Sequence, residues 1–538
     1  MQPSKKKLVL AYPPYSTATS PPAGVCFLKG FVQRSVPEWL VKVLDLNLLA
    51  HQQLLAHLDQ QLCPPGARLS ERLMAQTLLA RAAQTFSGQN DQEFYGRPDR
   101  CLLYSSIWGQ EFHARLANPE PLDKAFRGAT PMPAQVGHFA ELILREQPAM
   151  IGLSICYTQQ LSMARCLAQE LKKRSRTPIL AGGTFFNSGG EEFLAAHAGL
   201  FDYILAGEGE NSLAAFLSSR LGPEQVPGMI CWREGKVHST PPALEEDLDR
   251  LGQPDYSDLD LNAYYSPRPV LPVMTSRGCY WRRCAFCAHY KSAGQTYRRR
   301  SIGRILEELA GHVARGIHHF ALIDEMISPA HFAELAEAIT ASGLKLHYYA
   351  MAKPVKQFDR PLLSKIHQSG CRFILWGVES GCQRVLDLMD KGTTVPQIEQ
   401  VLLDAHAAGL KNHVFIMFGF PTETRAELQL TLDLLARHKA TIAQVHRGLF
   451  QLERNSPIFD KPQAYSITRI QPAATPGLYS FDCSAGMTRQ DVRQAFSENI
   501  PFLRSFASCR LELGDFWFRD HLLLIYSHRD GTDRPPAR

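Results

Sequence analysis

At 538 residues the chain exceeds what one hydrophobic core organises, so two or more domains are expected, and 45% hydrophobic against 20% charged residues excludes a disordered or fibrous protein. A formal charge of +6, with Lys and Arg interleaved among Asp and Glu, provides no basic arm for nucleic acid. No apolar run approaches membrane-spanning length, and the run Leu8–Tyr12 behind the basic start Lys5-Lys6-Lys7 is cut by Pro13-Pro14, so the expectation is a cytoplasmic protein without nucleic-acid or membrane partners. Ten of the 13 Cys are scattered, as in a reducing compartment, whereas three crowd into residues 279–287, which points to metal binding or catalysis.

In chain order, residues 1–246 alternate strand candidates with helical segments; the strands are Leu8–Ala11, Val41–Leu46, Ile151–Ile155, Pro178–Ala181 and Tyr203–Ala206. That rhythm predicts a doubly wound, Rossmann-like parallel sheet. A mostly helical insertion is expected over about 50–145. Strands ending in Ala181-Gly182-Gly183 and Ala206-Gly207-Glu208-Gly209 suit either a ligand crevice over the carboxyl ends or tight strand-to-helix turns. Residues 247–267, rich in Asp, Pro and Tyr, read as a linker.

Residues 268–450 hold six more strand candidates: Val270–Thr275, His319–Ile323, Lys345–Ala350, Arg372–Trp376, Asn412–Phe418 and Gln444–Phe450. Helices fit between them, with an apolar stripe at Ile302, Ile305, Leu306, Leu309 and Val313, starts at Ser328-Pro329 and Val395-Pro396, and stops at Gly343 and Gly409. Six βα units predict a partial (β/α)6 TIM-like barrel, open on one side. Residues 451–538 read as a small α+β appendage.

The chemistry concentrates in Arg277-Gly278-Cys279-Tyr280-Trp281-Arg282-Arg283-Cys284-Ala285-Phe286-Cys287, on the loop after the first barrel strand, which is predicted to end at Ser276. Barrel enzymes place reactive groups at that end. Cys279, Cys284 and Cys287 can ligate three irons of a [4Fe-4S] cluster and leave the fourth iron open. Zinc would need His289 as fourth ligand, in a Cys-x4-Cys-x2-Cys-x-His order that matches paired knuckles poorly. Cys156 and Cys371 read as packing residues inside strands.

This motif on the first strand of a six-unit barrel resembles the radical S-adenosylmethionine superfamily, although four residues rather than the usual three separate the first two Cys. The resemblance implies that the open iron chelates S-adenosylmethionine and that an electron from the cluster cleaves it to methionine and a 5′-deoxyadenosyl radical. An electron donor such as flavodoxin or ferredoxin is implied with it. Phe286 matches the aromatic near the adenine, Asp324-Glu325 the acceptors for the cofactor ammonium, and Glu379-Ser380 the polar pair near the ribose. Gly419-Phe420-Pro421-Thr422-Glu423-Thr424 resembles the Gly-x-Pro-Gly-Glu-Thr turn of the fifth strand, with Thr422 in place of glycine. Acidic residues at strand ends can also cap the following helix.

The first half is similar to the cobalamin-binding domain that precedes the barrel in one branch of this superfamily. Ser154 and Thr158 lie in the Leu-Ser-x-x-x-Thr strand end, Gly182 and Gly183 in the Gly-Gly turn, and Gly207 and Glu208 in Asp-x-x-x-x-Gly-Glu-Gly-Glu. An Asp-x-His-x-x-Gly loop is absent after the first strand, so cobalt is expected to carry no protein imidazole. The branch implies cobalamin-dependent methyl transfer to an unactivated carbon of a peptide or natural product. A radical cyclase or rearrangement enzyme and a non-catalytic corrinoid sensor are the alternatives. A methylthiotransferase would want a second Cys triad, and Cys26, Cys63 and Cys101 are too widely spaced for one.

Overall fold

The computed structural model describes residues 5–56, 84, 86, 88, 133–289, 296–473, 477–506 and 519–529. Most of the expected helical insertion lies outside these residues. The described chain forms two compact units, the first built mainly from residues 5–56 and 133–265 and the second mainly from 266–473 and 478–529.

The first unit is organised by a seven-stranded sheet of β1 (Lys6–Tyr12), β2 (Trp39–Asp45), β3 (Met150–Ser154), β4 (Ile179–Gly182), β5 (Tyr203–Leu205), β6 (Met229–Arg233) and β7 (Lys236–Ser239). Leu8 to Ala11 are buried without interruption, as a central parallel strand covered on both faces requires. The order is β2-β1-β3-β4-β5-β6-β7, with the first five strands parallel and β6 and β7 antiparallel. The chain direction across the sheet reverses between β1 and β3, and doubly wound sheets bind ligands over the strand ends at such a switch point. The antiparallel pair β6–β7 has no counterpart in the strands expected from sequence. Its segments are short, and the residues of β7 are half-exposed or exposed, so the apolar signal is weak.

The stretch expected to link the domains is tied down on the first unit as far as Tyr265. Buried Lys29 reaches Asp258 at 2.7 Å, Asp255 at 3.4 Å and the Ser257 hydroxyl at 2.7 Å, and Tyr264 donates its hydroxyl to Asp45 at 2.7 Å. Asp45 also accepts from the backbone N–H of Leu48, in the first turn of helix Leu46–Ala56. Burial nevertheless pushes the Asp45 carboxyl up from 3.8 to about 6, against the lowering by these donors. A carboxyl raised on folding stabilises fully below its unfolded value and loses that contribution as pH climbs through the folded one. At about 1.4 kcal/mol per pH unit, the stability difference between Asp45→Asn and wild type should shift by about 2 kcal/mol in favour of the variant from pH 4 to pH 7, measured by urea unfolding. A flat difference would place the carboxylate in a wetter setting than its burial indicates.

The second unit is a six-stranded parallel sheet in sequential order, β8 (Val270–Val273), β11 (His319–Leu322), β12 (His347–Ala352), β13 (Cys371–Glu379), β14 (Lys411–Phe418) and β15 (Ile442–Leu449). Helices Ile302–Val313, Pro329–Ser342, Arg360–Gln368, Val395–Ala407 and Arg425–Arg437 fill the crossovers. Their starts follow the side-chain cap rule: Ser301, Ser328, Asp359, Thr394 and Thr424 each accept from the N–H three residues on. β8 stops at Val273, three residues before its expected end. Ser276–Gly278, β9, pairs instead with Tyr297–Arg299, β10, as an antiparallel ribbon that carries the chain into Cys279.

Outer residues of the strands pack on the helices and on the loops that lead into them, as Tyr348 does on Phe332 and Trp376 on Phe358. Inner residues meet the appendage helix Arg519–Arg529, whose residues 520–527 are all buried. Tyr349 donates to Asp520 at 3.0 Å, Tyr526 lies 3.2 Å from His413 Nε2, and Phe373 stacks between Tyr349 and His413. The rest of the appendage is an antiparallel sheet of β16 (Leu452–Glu453), β17 (Ile467–Pro472) and β18 (Leu478–Cys483), ordered β16-β18-β17, and helix Arg489–Arg504, which packs on β15.

Candidate active site

The cysteine loop is anchored by its own backbone: the N–H of Ala285 donates to the Met389 carbonyl at 2.8 Å, and the Ala285 carbonyl accepts from Ile458 at 2.9 Å. Cys284 is buried, and Cys279 and Cys287 are partly exposed at the barrel mouth; all three are free thiols. Burial pushes the Cys284 thiol up, while Lys391 and Lys353 oppose it. Among the described residues no three His, Cys, Asp or Glu side chains converge as they would around one metal ion. Three thiols on one loop suit a [4Fe-4S] cube, in which each takes its own iron. His289 is largely exposed and faces Glu325 at 4.0 Å.

The sequence reading missed the residues that brace this loop. Trp281 donates Nε1–H to the Asp390 carbonyl at 2.6 Å, and its ring fills the space above Gly392, where a Cβ would come within 2.0 Å of it. Lys353, one residue past β12 and fully buried, holds Nζ 3.2 Å from the centre of the same ring. Burial and the neighbouring Lys391 push the Lys353 ammonium down to about 7, and Cys284 and Cys279 act in the opposite direction. The signal in the sequence was a tryptophan between two of the cysteines, which only its tertiary partners make legible.

Glu379 ends β13 with φ +66°, beyond a register shift between Gly377 and Glu379 that re-aims its carboxylate. It accepts from Lys391 Nζ at 2.8 Å, and a Cβ at Gly377 would lie 2.8 Å from that nitrogen. Burial disfavours the Lys391 charge, but Glu379 and Cys284 more than offset this and hold its pKa above the ordinary value. Lys391 Nζ lies 5.7 Å from the Phe286 ring, and Phe286 packs against the cluster of Ala285, Val385, Met389 and Phe420.

Three expected cofactor contacts are taken up by the fold. Both oxygens of buried Asp324 accept from the residues just after the first barrel strand: Thr275 Oγ1 at 2.8 Å, Ser276 Oγ at 2.5 Å and the Thr275 N–H at 3.2 Å. Of the acidic pair, Glu325 keeps the accessible carboxylate. Ser380 is fully buried and caps a turn through Thr431 and the Cys382 N–H. Gly419 lies under helix Arg489–Arg504, and a Cβ there would meet Val492 at 2.5 Å. Thr422, in the glycine position of that turn, has φ +73° and so retains the glycine-type backbone.

In the first unit, Ser154, Thr158 and Gly182 stand half-buried at the carboxyl ends of β3 and β4, beside the switch point. Gln160 staples the two loops there, donating to the Pro13 carbonyl at 2.7 Å and accepting from the N–H groups of Cys156 and Tyr157 at 2.7 and 3.0 Å. Cys156 lies beyond β3, with Sγ 3.9 Å from Ser154 Oγ, and is therefore a crevice residue; Cys371 is fully buried in β13. Gly207 is packed under Pro242, and Glu208 accepts from the Glu245 N–H at 3.1 Å, so this turn belongs to the fold. Gly183, at φ +110°, has no room for a side chain, because a Cβ would lie 2.3 Å from the Ile155 carbonyl oxygen. Gly183→Ala should therefore lower the stability of the protein by about 1–3 kcal/mol in a melt without any corrinoid. An unchanged melting curve would restore the glycine to ligand binding alone.

Residues 273–435 match the family model of the Radical SAM superfamily, and residues 128–217 match that of the B12 binding domain. An uncharacterized methyltransferase of Pyrococcus horikoshii is 26% identical over 313 residues, covering 57% of this chain and 68% of the relative. The anaerobic magnesium-protoporphyrin IX monomethyl ester cyclase of Cereibacter sphaeroides is 29% identical over 248 residues, covering 43% of this chain but only 40% of the relative. Among solved structures, the cobalamin-dependent S-adenosylmethionine radical enzyme OxsB with aqua-cobalamin bound superposes with a TM-score of 0.65 at 15% identity, over 93% of this chain and 67% of that one, which is a likeness of fold. Within the described residues no helix is long and apolar enough to cross a membrane. On one chain, then, a B12 binding domain at residues 128–217 precedes a Radical SAM superfamily domain at residues 273–435.

Proposed function

We propose that this enzyme transfers a methyl group to an unactivated carbon of a peptide or natural product, with cobalamin on the first unit and a [4Fe-4S] cluster and S-adenosylmethionine on the second. The observation that carries this reading is the cysteine triad at the mouth of a barrel preceded by a B12-binding domain. When bound, the cofactors supply the radical and the methyl group. The chain's own part is to hold and orient them. Cys279, Cys284 and Cys287 ligate the cluster, Glu325 receives the cofactor ammonium, Phe286 flanks the adenine, and Glu379, fixed by Lys391, faces the ribose. Ser154, Thr158 and Gly182 line the corrinoid crevice that Gln160 keeps open. The enzyme works in the cytoplasm, and a flavodoxin or ferredoxin delivers the electrons.

Protein made anaerobically with corrinoid supplied should retain it in near-equal amount and form both 5′-deoxyadenosine and S-adenosylhomocysteine with its substrate. Because no Asp-x-His-x-x-Gly loop follows the first strand, the Co(II) spectrum should lack nitrogen superhyperfine splitting from a lower ligand. The cyclase relative favours a second reading, ring formation on the same scaffold. 5′-Deoxyadenosine without S-adenosylhomocysteine would select it and end the methyltransferase reading.

A further inference from the structure

Lys353 poses a question of charge. It is fully buried at the carboxyl end of the third barrel strand, and among the described residues no acceptor reaches Nζ. An ammonium has three N–H donors, and the face of Trp281 at 3.2 Å serves only one side of it. A cation shut away from water without a counter-charge is strongly disfavoured. Two other cations near the cysteine loop are already paired, Lys391 with Glu379 at 2.8 Å and Arg283 with Asp390 at 3.0 Å. Asp390 also acts on Lys353 but is already held by Arg283, and the other negative charge acting on it comes from Cys284 and Cys279, on the loop that carries Trp281.

We propose that Lys353 is the counter-charge of the cluster, a positioning and tuning residue whose ammonium, fixed over Trp281, offsets the negative charge of three iron-bound thiolates and raises the cluster's reduction potential. The inference rests on the reading of Cys279, Cys284 and Cys287 as cluster ligands. One electron from an external reductant takes the core from 2+ to 1+, no bond forms or breaks, and the reduced state carries one more negative charge. A fixed positive charge favours that state. Net charge and hydrogen bonds to sulfur are among the factors that set iron–sulfur potentials, and residues outside the ligand set supply both.

The test is the midpoint potential of the reconstituted cluster, titrated anaerobically and read by the paramagnetic signal of the reduced form, without S-adenosylmethionine. Lys353→Met keeps the stem and removes the charge; Lys353→Arg keeps the charge. The Met variant should hold the wild-type iron content at a more negative potential, with the Arg variant shifted back toward wild type. Iron lost in the Met variant but retained in the Arg variant would also support the charge role. Iron lost in both, or equal shifts in both, would make the side chain a packing element and overturn the proposal. So would an unmoved potential with iron intact, as expected if the lysine contacts only the carboxylate of bound S-adenosylmethionine. Wild-type protein that assembles no cluster would overturn the ligand reading, and this inference with it.

Discussion

Single replacement of Cys279, Cys284 or Cys287 by Ala should reduce 5′-deoxyadenosine formation to background, while wild type, reconstituted without oxygen, binds about four irons per chain. Each thiol is expected to hold a separate iron, so losing one opens a second corner of the cube to solvent. The buried cysteines are not expected to substitute: Cys382 packs in the hydrophobic cluster with Val385 and Met389, and Cys371 is fully buried in its strand. Cys371→Ala is thus the matched control, expected to keep cluster and activity. If any of the three loop variants continues to release 5′-deoxyadenosine at the wild-type rate, that thiol is not a ligand.

The second large effect is on stability. Lys391 and Glu379 have side chains only 3% and 13% exposed, so either partner left alone is a nearly buried, uncompensated charge. Breaking such a pair from one side costs about 3–5 kcal/mol. Glu379→Gln and Lys391→Met should each lower unfolding stability by that order, and each should loosen Phe286, which lies beside the pair. The double variant should recover much of the loss, because no charge is then stranded. Denaturant unfolding of the four proteins forms a double-mutant cycle. Additive losses would mean that the two side chains do not act as a pair. A cofactor-binding defect in Glu379→Gln would therefore arrive together with a folding defect.

Much of the architecture was legible because its signals are local. Parallel strands buried on both faces read as short apolar runs, and Ser328-Pro329 and Gly343 marked the two ends of helix Pro329–Ser342. The cysteine loop stood out by spacing alone. What stayed hidden depends on tertiary partners. Nothing local distinguishes Glu325, with an accessible carboxylate, from its neighbour Asp324, whose oxygens are consumed by Thr275 and Ser276. Nor could composition show that residues 247–265, Asp- and Pro-rich like a free linker, would be held by Lys29 and Asp45. Lys353 is an ordinary lysine until Trp281 is placed against it.

The helix Arg519–Arg529 inside the strand crescent has a consequence for the order of folding. Its partners were made long before it: Asp520 lies 171 residues after Tyr349, and Tyr526 lies 113 residues after His413. Closing loops of that length is slow relative to forming neighbouring βα units. During synthesis the barrel strands can pair while Tyr349, Phe373 and His413 still face water, so the nascent barrel passes through a stage with an unfilled centre. A segment that emerges well after the strands then fills the barrel's centre. An expression strategy that slows or tags the region after residue 500 would lengthen that exposed stage, whereas the first unit, whose strands all precede residue 240, can finish independently of it.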